Sequence, residues 1–160
     1  MWVWDVAPLL HATRTGHLVT LRGLAEAQDP DHGTTEEVAV EVARLAREPL
    51  TWPLVLPTPS EPGYVTRRDG LRREMTRQST HPTDAGVLAY AQYVSGVAVA
   101  DGLTARRAGR VHAIPVRGTF RVVADAVACH CISDQAATAL VAELVADGMR
   151  LPAWRSGACS

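Results

Sequence analysis

Thr83-Asp84-Ala85-Gly86-Val87-Leu88-Ala89-Tyr90-Ala91-Gln92-Tyr93-Val94-Ser95-Gly96-Val97-Ala98-Val99-Ala100-Asp101-Gly102-Leu103 is the stretch on which the reading of the fold turns. No charged residue interrupts it between Ala85 and Ala100. Val87, Leu88, Tyr90, Ala91, Val94, Val97 and Ala98 make it apolar around most of a helical girth. Thr83 or Asp84 supplies an N-cap. The stretch therefore predicts one long buried helix ending near Leu103. Gly86 and Gly96 would let other elements approach it closely. The uncharged run is too short to cross a membrane and carries Gln92 and Ser95, so no membrane partner is expected. A helix apolar on nearly every side also raises the expectation of a homo-oligomer.

Downstream, Arg110–Val116 and Thr119–Ala128 read as two strands of a β-hairpin joined at Arg117-Gly118. Ser133 caps a closing helix to Asp147, with Ala137, Leu140, Val141, Leu144 and Val145 inward and Gly148 as its stop. Upstream, Asp5 caps a helix to about Thr15, His17–Val19 is a short extended piece, and Thr20 caps a helix over Leu21–Gln28. Asp29-Pro30-Asp31-His32-Gly33 is a turn. Thr34 with Glu37 forms a capping box, and Val38, Val42, Leu45 and Ala46 line one face of the helix that follows. Pro53 confines Thr51–Leu56 to an edge strand. Pro57–Gly63 is a loop, Tyr64–Arg67 a returning strand, and Asp69–Ser79 an arginine-rich helix. The hinge Thr80-His81-Pro82 divides the chain into parts 1–80 and 81–160, which can share one core.

These elements define an α+β class. A helical N-terminal half carries a two-stranded wing, and the C-terminal half comprises a long helix, a β-hairpin and a closing helix. With 160 residues, 47% of them hydrophobic and 21% charged, the chain can bury a core without disulfide or metal staples. All 16 basic residues are arginine, as the codon bias of a high-GC bacterial genome produces. The net charge of −1 excludes a polycation that wraps nucleic acid along its whole length. Three cysteines and no secretory leader point to the reducing cytoplasm.

The order helix, short strand, helix, turn, helix, wing over residues 5–68 resembles a winged helix-turn-helix domain. His17-Leu18-Val19-Thr20-Leu21-Arg22-Gly23-Leu24-Ala25-Glu26-Ala27 looks like the strand and second helix of that family, and Tyr64-Val65-Thr66-Arg67-Arg68-Asp69-Gly70 like the end of its wing. The resemblance implies DNA binding through the third helix. Glu36, Glu37, Glu41 and Glu48, against Arg44 and Arg47, make that helix oppose a phosphate-lined groove, so either it does not read DNA or the fold serves as a protein-interaction module.

Arg67, Arg68, Arg72, Arg73 and Arg77 are the candidate anion-binding residues, offset in sequence by Asp69 and Glu74 alone. They suggest a non-catalytic regulatory or adaptor domain gripping nucleic acid or an acidic protein. The alternative is a small cysteine-dependent enzyme or redox protein. There Cys129 or Cys131, at a strand-to-helix junction, would be the thiolate, with His130 or His112 as base. Whether the chain is an enzyme is left open between these two. No Rossmann, P-loop or GxSxG motif occurs, no histidine pair has metal-ligand spacing, and neither metal nor cofactor is expected.

Overall fold

Trp2, Val3 and Trp4 are all buried and form the central strand of a parallel sheet. A strand covered on both faces needs apolar side chains at every position, not alternate ones. The computed structural model of the protein describes residues 1–76 and 83–150. In chain order the elements are β1 (Trp2–Trp4), α1 (Val6–Arg14), α2 (Leu18–Glu26), β2 (His32–Thr35), α3 (Glu36–Ala46), β3 (Leu54–Leu56) and α4 (Pro62–Thr76). Then follow α5 (Thr83–Tyr93), β4 (Val97–Val99), α6 (Leu103–Val111), β5 (Val116–Arg117), α7 (Thr119–Ala128) and α8 (Asp134–Ala146).

All four strand pairings are parallel, in the order β3-β2-β1-β4-β5. This is an α/β fold. It corrects both the α+β class and the winged helix-turn-helix resemblance, because β3 pairs in parallel with β2 and no antiparallel wing exists among the described residues. Tyr64–Arg67, expected as the wing's end, lies inside α4, whose first residue is proline, a favoured position for one. His17–Val19 belongs to the start of α2, not to a strand.

The long helix is corrected at Ser95-Gly96. Helix α5 ends at Tyr93, and Ser95 takes a left-handed φ of 51°. The Gly96 amide then closes the turn onto the Ala91 carbonyl at 2.7 Å. A Cβ on Gly96 would collide with the Met1 carbonyl oxygen, so only glycine lets the start of β1 come this close. Val97–Val99 then runs as β4 beside β1. The all-round apolarity of α5 is used inside the chain. Every residue from Thr83 to Ala91 is buried, and α5 packs on β1, β2 and β4 between α4 and α6. It therefore supports no oligomer.

The expected hairpin is likewise two helices around a short strand. Its first arm is the end of α6 and the two-residue β5, which pairs with β4. Its second arm is α7, where Val122, Val123 and Ala126 bury at helical spacing. Four expected helices recur with shifted ends, as α1, α2, α3 and α8. Ser133 caps α8 by accepting from the Ala136 amide at 3.2 Å. Thr35, not Thr34, caps α3, accepting from the Val38 amide at 3.3 Å. Strand β3 is an edge strand as Pro53 required. The sheet draws β1, β2 and β3 from residues before 80 and β4 and β5 from residues after it. The hinge 80–82 lies outside the described residues. Among those described, no helix is long and apolar enough to cross a membrane.

Candidate active site

In an open parallel sheet, ligands bind beyond the carboxyl ends of the strands, where the strand order reverses direction. Here the chain builds outward from β1 through β2 to β3, then returns to place β4 and β5 on the other side. The reversal falls between β1 and β4. The residue after β1 is Asp5, and Asp101 follows β4 by two. The Asp5 amide donates to the Val99 carbonyl at 3.0 Å, which holds the two strand ends together.

Helix α5 begins at the same crevice, with Asp84 in its first turn. Asp84 Oδ2 lies 3.6 Å from where a Cβ on Gly102 would sit, beside Asp101. Glu37, in the first turn of α3, reaches over the same end of α5. Its Oε2 is 3.4 Å from where a Cβ on Gly86 would sit. Each carboxylate thus lies within ordinary van der Waals reach of a glycine position at the crevice. Asp5 and Asp84 are 4% and 5% exposed, a degree of burial that carboxylates rarely reach unless paired.

Burial, and then repulsion from Asp84, hold the Asp5 carboxyl well above the usual carboxylate range. A side-chain hydrogen bond to Asp84 and repulsion from Asp101 push the same way, against a backbone hydrogen bond from Val6. The cations nearby serve other members of the group. Arg72, from α4, places Nη2 3.0 Å from both oxygens of Glu37. Arg106, from α6, stands 3.6 Å from Asp101 Oδ1. Asp101 also caps α7. Its Oδ1 accepts from the Thr119 amide at 2.9 Å, and its Oδ2 from the Thr119 hydroxyl at 2.7 Å. Among the described residues, four buried side-chain atoms lack a hydrogen-bond partner, and three of them, Asp5 Oδ1, Arg72 Nε and Arg106 Nε, belong to this crevice. The fourth is Thr13 Oγ1, on α1. Unmet buried polar atoms thus concentrate at the crevice, where native folds usually leave few.

Asp5 Oδ1 and an all-oxygen carboxylate set suit a hard divalent cation such as Mg²⁺ or Mn²⁺. No three His, Cys, Asp or Glu side chains among the described residues are placed to chelate an ion unaided. Mg²⁺ asks for less: one or two carboxylates, with water and substrate oxygens completing its shell.

The sequence-derived candidates lie elsewhere, or serve these carboxylates. Arg68 is paired with Asp69 at 3.1 Å, and Arg67 Nε donates to Gln92 Oε1 at 2.6 Å. Arg72 is held by Glu37, and Arg73 is exposed. Arg77 lies outside the described residues. Two of the five, Arg68 and Arg72, are thus paired with carboxylates rather than free for an external anion. The cysteine reading is corrected too. Cys129 caps the C-terminus of α7 and His130 follows with a left-handed φ of 58°, so no strand alternation aligns the two sulfurs. Both thiols are exposed, and His112 binds Glu74 at 2.8 Å rather than a thiol. The turn sits at the far end of α7, ten residues from the Asp101-capped end. A shallow open groove of about 520 Å³, lined by Pro62, Gly63, Thr66, Arg67 and Gly70, contains no carboxylate.

The fold and the crevice together define an open α/β domain with an acidic center at its strand-order reversal. A family model described as a PIN domain matches residues 1–155, and the chain belongs to that family. No curated protein and no solved structure matches it. PIN domains are typically metal-dependent nucleases, which overturns the non-catalytic adaptor, the DNA-binding regulator and the cysteine enzyme alike.

Proposed function

We propose that the chain is a divalent-cation-dependent nuclease that hydrolyses phosphodiester bonds of nucleic acid in the crevice of Asp5, Asp84, Asp101 and Glu37. The observation that carries this reading is Asp5 Oδ1, buried without a partner amid the charge of Asp84 and Asp101. A fold does not retain such a cost for stability, since an unsatisfied buried acceptor destabilises by about 1–3 kcal/mol. Family membership supports the same reading.

Asp5 is the residue best suited to hold the cation, with its other oxygen turned toward Asp84. Asp84, rooted in the fully buried first turns of α5, fixes the rear wall. Asp101 is oriented by the α7 amide and by Arg106, and presents a carboxylate from the β4 side. A bound Mg²⁺ or Mn²⁺ would polarise the phosphate and lower the pKa of an attacking water. The work of the chain is to hold these oxygens in place, from residues just beyond β1 and β4 and from the first turns of α3 and α5. We place the activity in the cytoplasm, where the exposed thiols Cys129 and Cys131 would stay reduced.

The test is cleavage of end-labelled single-stranded RNA and DNA oligonucleotides with added Mg²⁺ or Mn²⁺. Cleavage that chelator abolishes and Asp5→Asn removes supports the reading. Cleavage that survives Asp5→Asn, or no cleavage of either polymer, overturns it.

A further inference from the structure

The strongest cation contact at the crevice comes from the chain itself. Arg72 shares one Nη2 between both oxygens of Glu37, each at 3.0 Å, while its Nε is buried and bonds nothing. The two side chains are 37% and 45% exposed, so the pair sits at the mouth, not in the core. It joins elements 35 residues apart in sequence. Contact of one nitrogen with two oxygens leaves the guanidinium fork only partly used. A phosphate group would accept from Nε and Nη together, which Glu37 here does not.

We infer that Arg72 is a positioning residue of the reaction, an internal counter-ion that holds Glu37 until nucleic acid arrives and then takes a phosphate oxygen of the substrate. This rests on the nuclease reading. In the substrate-free chain, Arg72 neutralises Glu37 and lowers the crevice's attraction for a divalent cation. When a phosphodiester enters, its oxygens satisfy the orphaned Nε and draw the guanidinium off Glu37. The Glu37 carboxylate is then released toward the crevice as the cation is required. Cation and substrate therefore bind with positive coupling, each favouring the state in which Arg72 has left Glu37. Arg106 differs. Its partner Asp101 is already engaged by the Thr119 amide and hydroxyl, so its departure would free no carboxylate for a cation.

The experiment compares the full chain with Arg72→Gln and Arg72→Lys. Mn²⁺ binding is measured by titration calorimetry, with and without a non-cleavable phosphorothioate oligonucleotide. Without oligonucleotide, Arg72→Gln is expected to bind Mn²⁺ about threefold more tightly, the ratio a half-exposed ion pair gives. The oligonucleotide should tighten Mn²⁺ binding to the unaltered chain more than to Arg72→Gln, where only direct coordination of the cation by substrate oxygens remains to couple the two. In cleavage, Arg72→Gln should raise KM about tenfold with a smaller change in kcat, as loss of one charged phosphate contact predicts. Arg72→Lys, which keeps the charge without the fork, should fall between. Equal Mn²⁺ affinity in all three proteins, or coupling as strong in Arg72→Gln as in the unaltered chain, overturns the inference. If Arg72→Gln fails to fold, the same comparison is made with Arg72→Lys alone. The two failures are distinguishable: if the unaltered chain binds Mn²⁺ no better than Asp5→Asn does, the nuclease reading fails; Asp5-dependent binding that ignores Arg72 sinks only the counter-ion.

Discussion

Asp5 and His32 are buried titratable side chains at opposite ends of β1, and the fold treats them in opposite ways. His32 is 8% exposed and faces Trp2 across the β1–β2 ladder. Its Nδ1 accepts from the Trp4 indole at 3.1 Å, its Nε2 donates to the Asp29 carbonyl, and the rings of Trp2, Trp4 and Trp52 surround it. Burial lowers its pKa and keeps it neutral. Every polar atom of the ring is used. Asp5 is as deeply buried, yet one oxygen is unmet and its closest titratable neighbour is another acid. The difference separates a polar group that specifies the core from one that the fold holds ready for something it does not itself provide.

Altering each residue tests that contrast. The largest effect expected is on chemistry. Asp5→Asn should slow cleavage by at least about a hundredfold, the scale on which losing one preorganised charge-stabilising group acts. His32→Phe should leave the rate per folded molecule near that of the unaltered chain, and single-turnover kinetics on folded protein would show it. Next is stability, with the order reversed. His32→Phe strands the Trp4 indole N–H and should cost about 2 kcal/mol in urea unfolding. Asp5→Asn, in chelator at about pH 8, should gain about 1 kcal/mol, since the neutral amide escapes repulsion from Asp84 and Asp101. Equal losses from both substitutions would erase the contrast.

The pH profiles should diverge as well. A raised folded-state pKa means that Asp5 favours folding below its unfolded value of about 3.9, and that this contribution is lost as pH rises through the raised value. Asp5→Asn should remove that loss. For His32 the pKa is lowered. Its contribution is present above the unfolded value of about 6.5 and is lost as pH falls below it. Unfolding free energies measured across that range should therefore slope downward toward acid in the unaltered chain and flatten in His32→Phe. The smallest effect is expected at the surface. Arg22→Ala breaks the exposed pair with Glu26 at 2.8 Å and should change stability by no more than about 0.5 kcal/mol.

Helices α1, α3 and α8 were legible because a cap and a one-sided apolar face mark each of them. The sheet was hidden for the reason that makes it stable. Strands β1 and β4 are three residues each and covered on both faces, so Val97–Val99 merges with the apolar run of α5 and periodicity cannot divide them. The signal available was Ser95-Gly96, a helix stop inside an uncharged stretch. The site went unread with the sheet. Asp5 looked like a cap, Asp84 like another, Glu37 like half of a capping box, and Asp101 like the end of a helix. Each is an ordinary residue locally. Only the parallel pairing of β1 with β4 brings Asp5 and Asp101 to one rim. Arg72 was singled out for its charge, and the structure gives that charge a carboxylate beside the crevice instead of an open face.

Helix α7 has a practical corollary. It starts against Asp101 and ends at Cys129, about 15 Å away along its axis. The sulfurs of Cys129 and Cys131 therefore offer attachment points on the rim opposite the carboxylates. With Cys159 replaced by serine, a maleimide dye or a resin linker coupled there would leave the cleft mouth unobstructed, so fluorescent or immobilised preparations can be assayed directly.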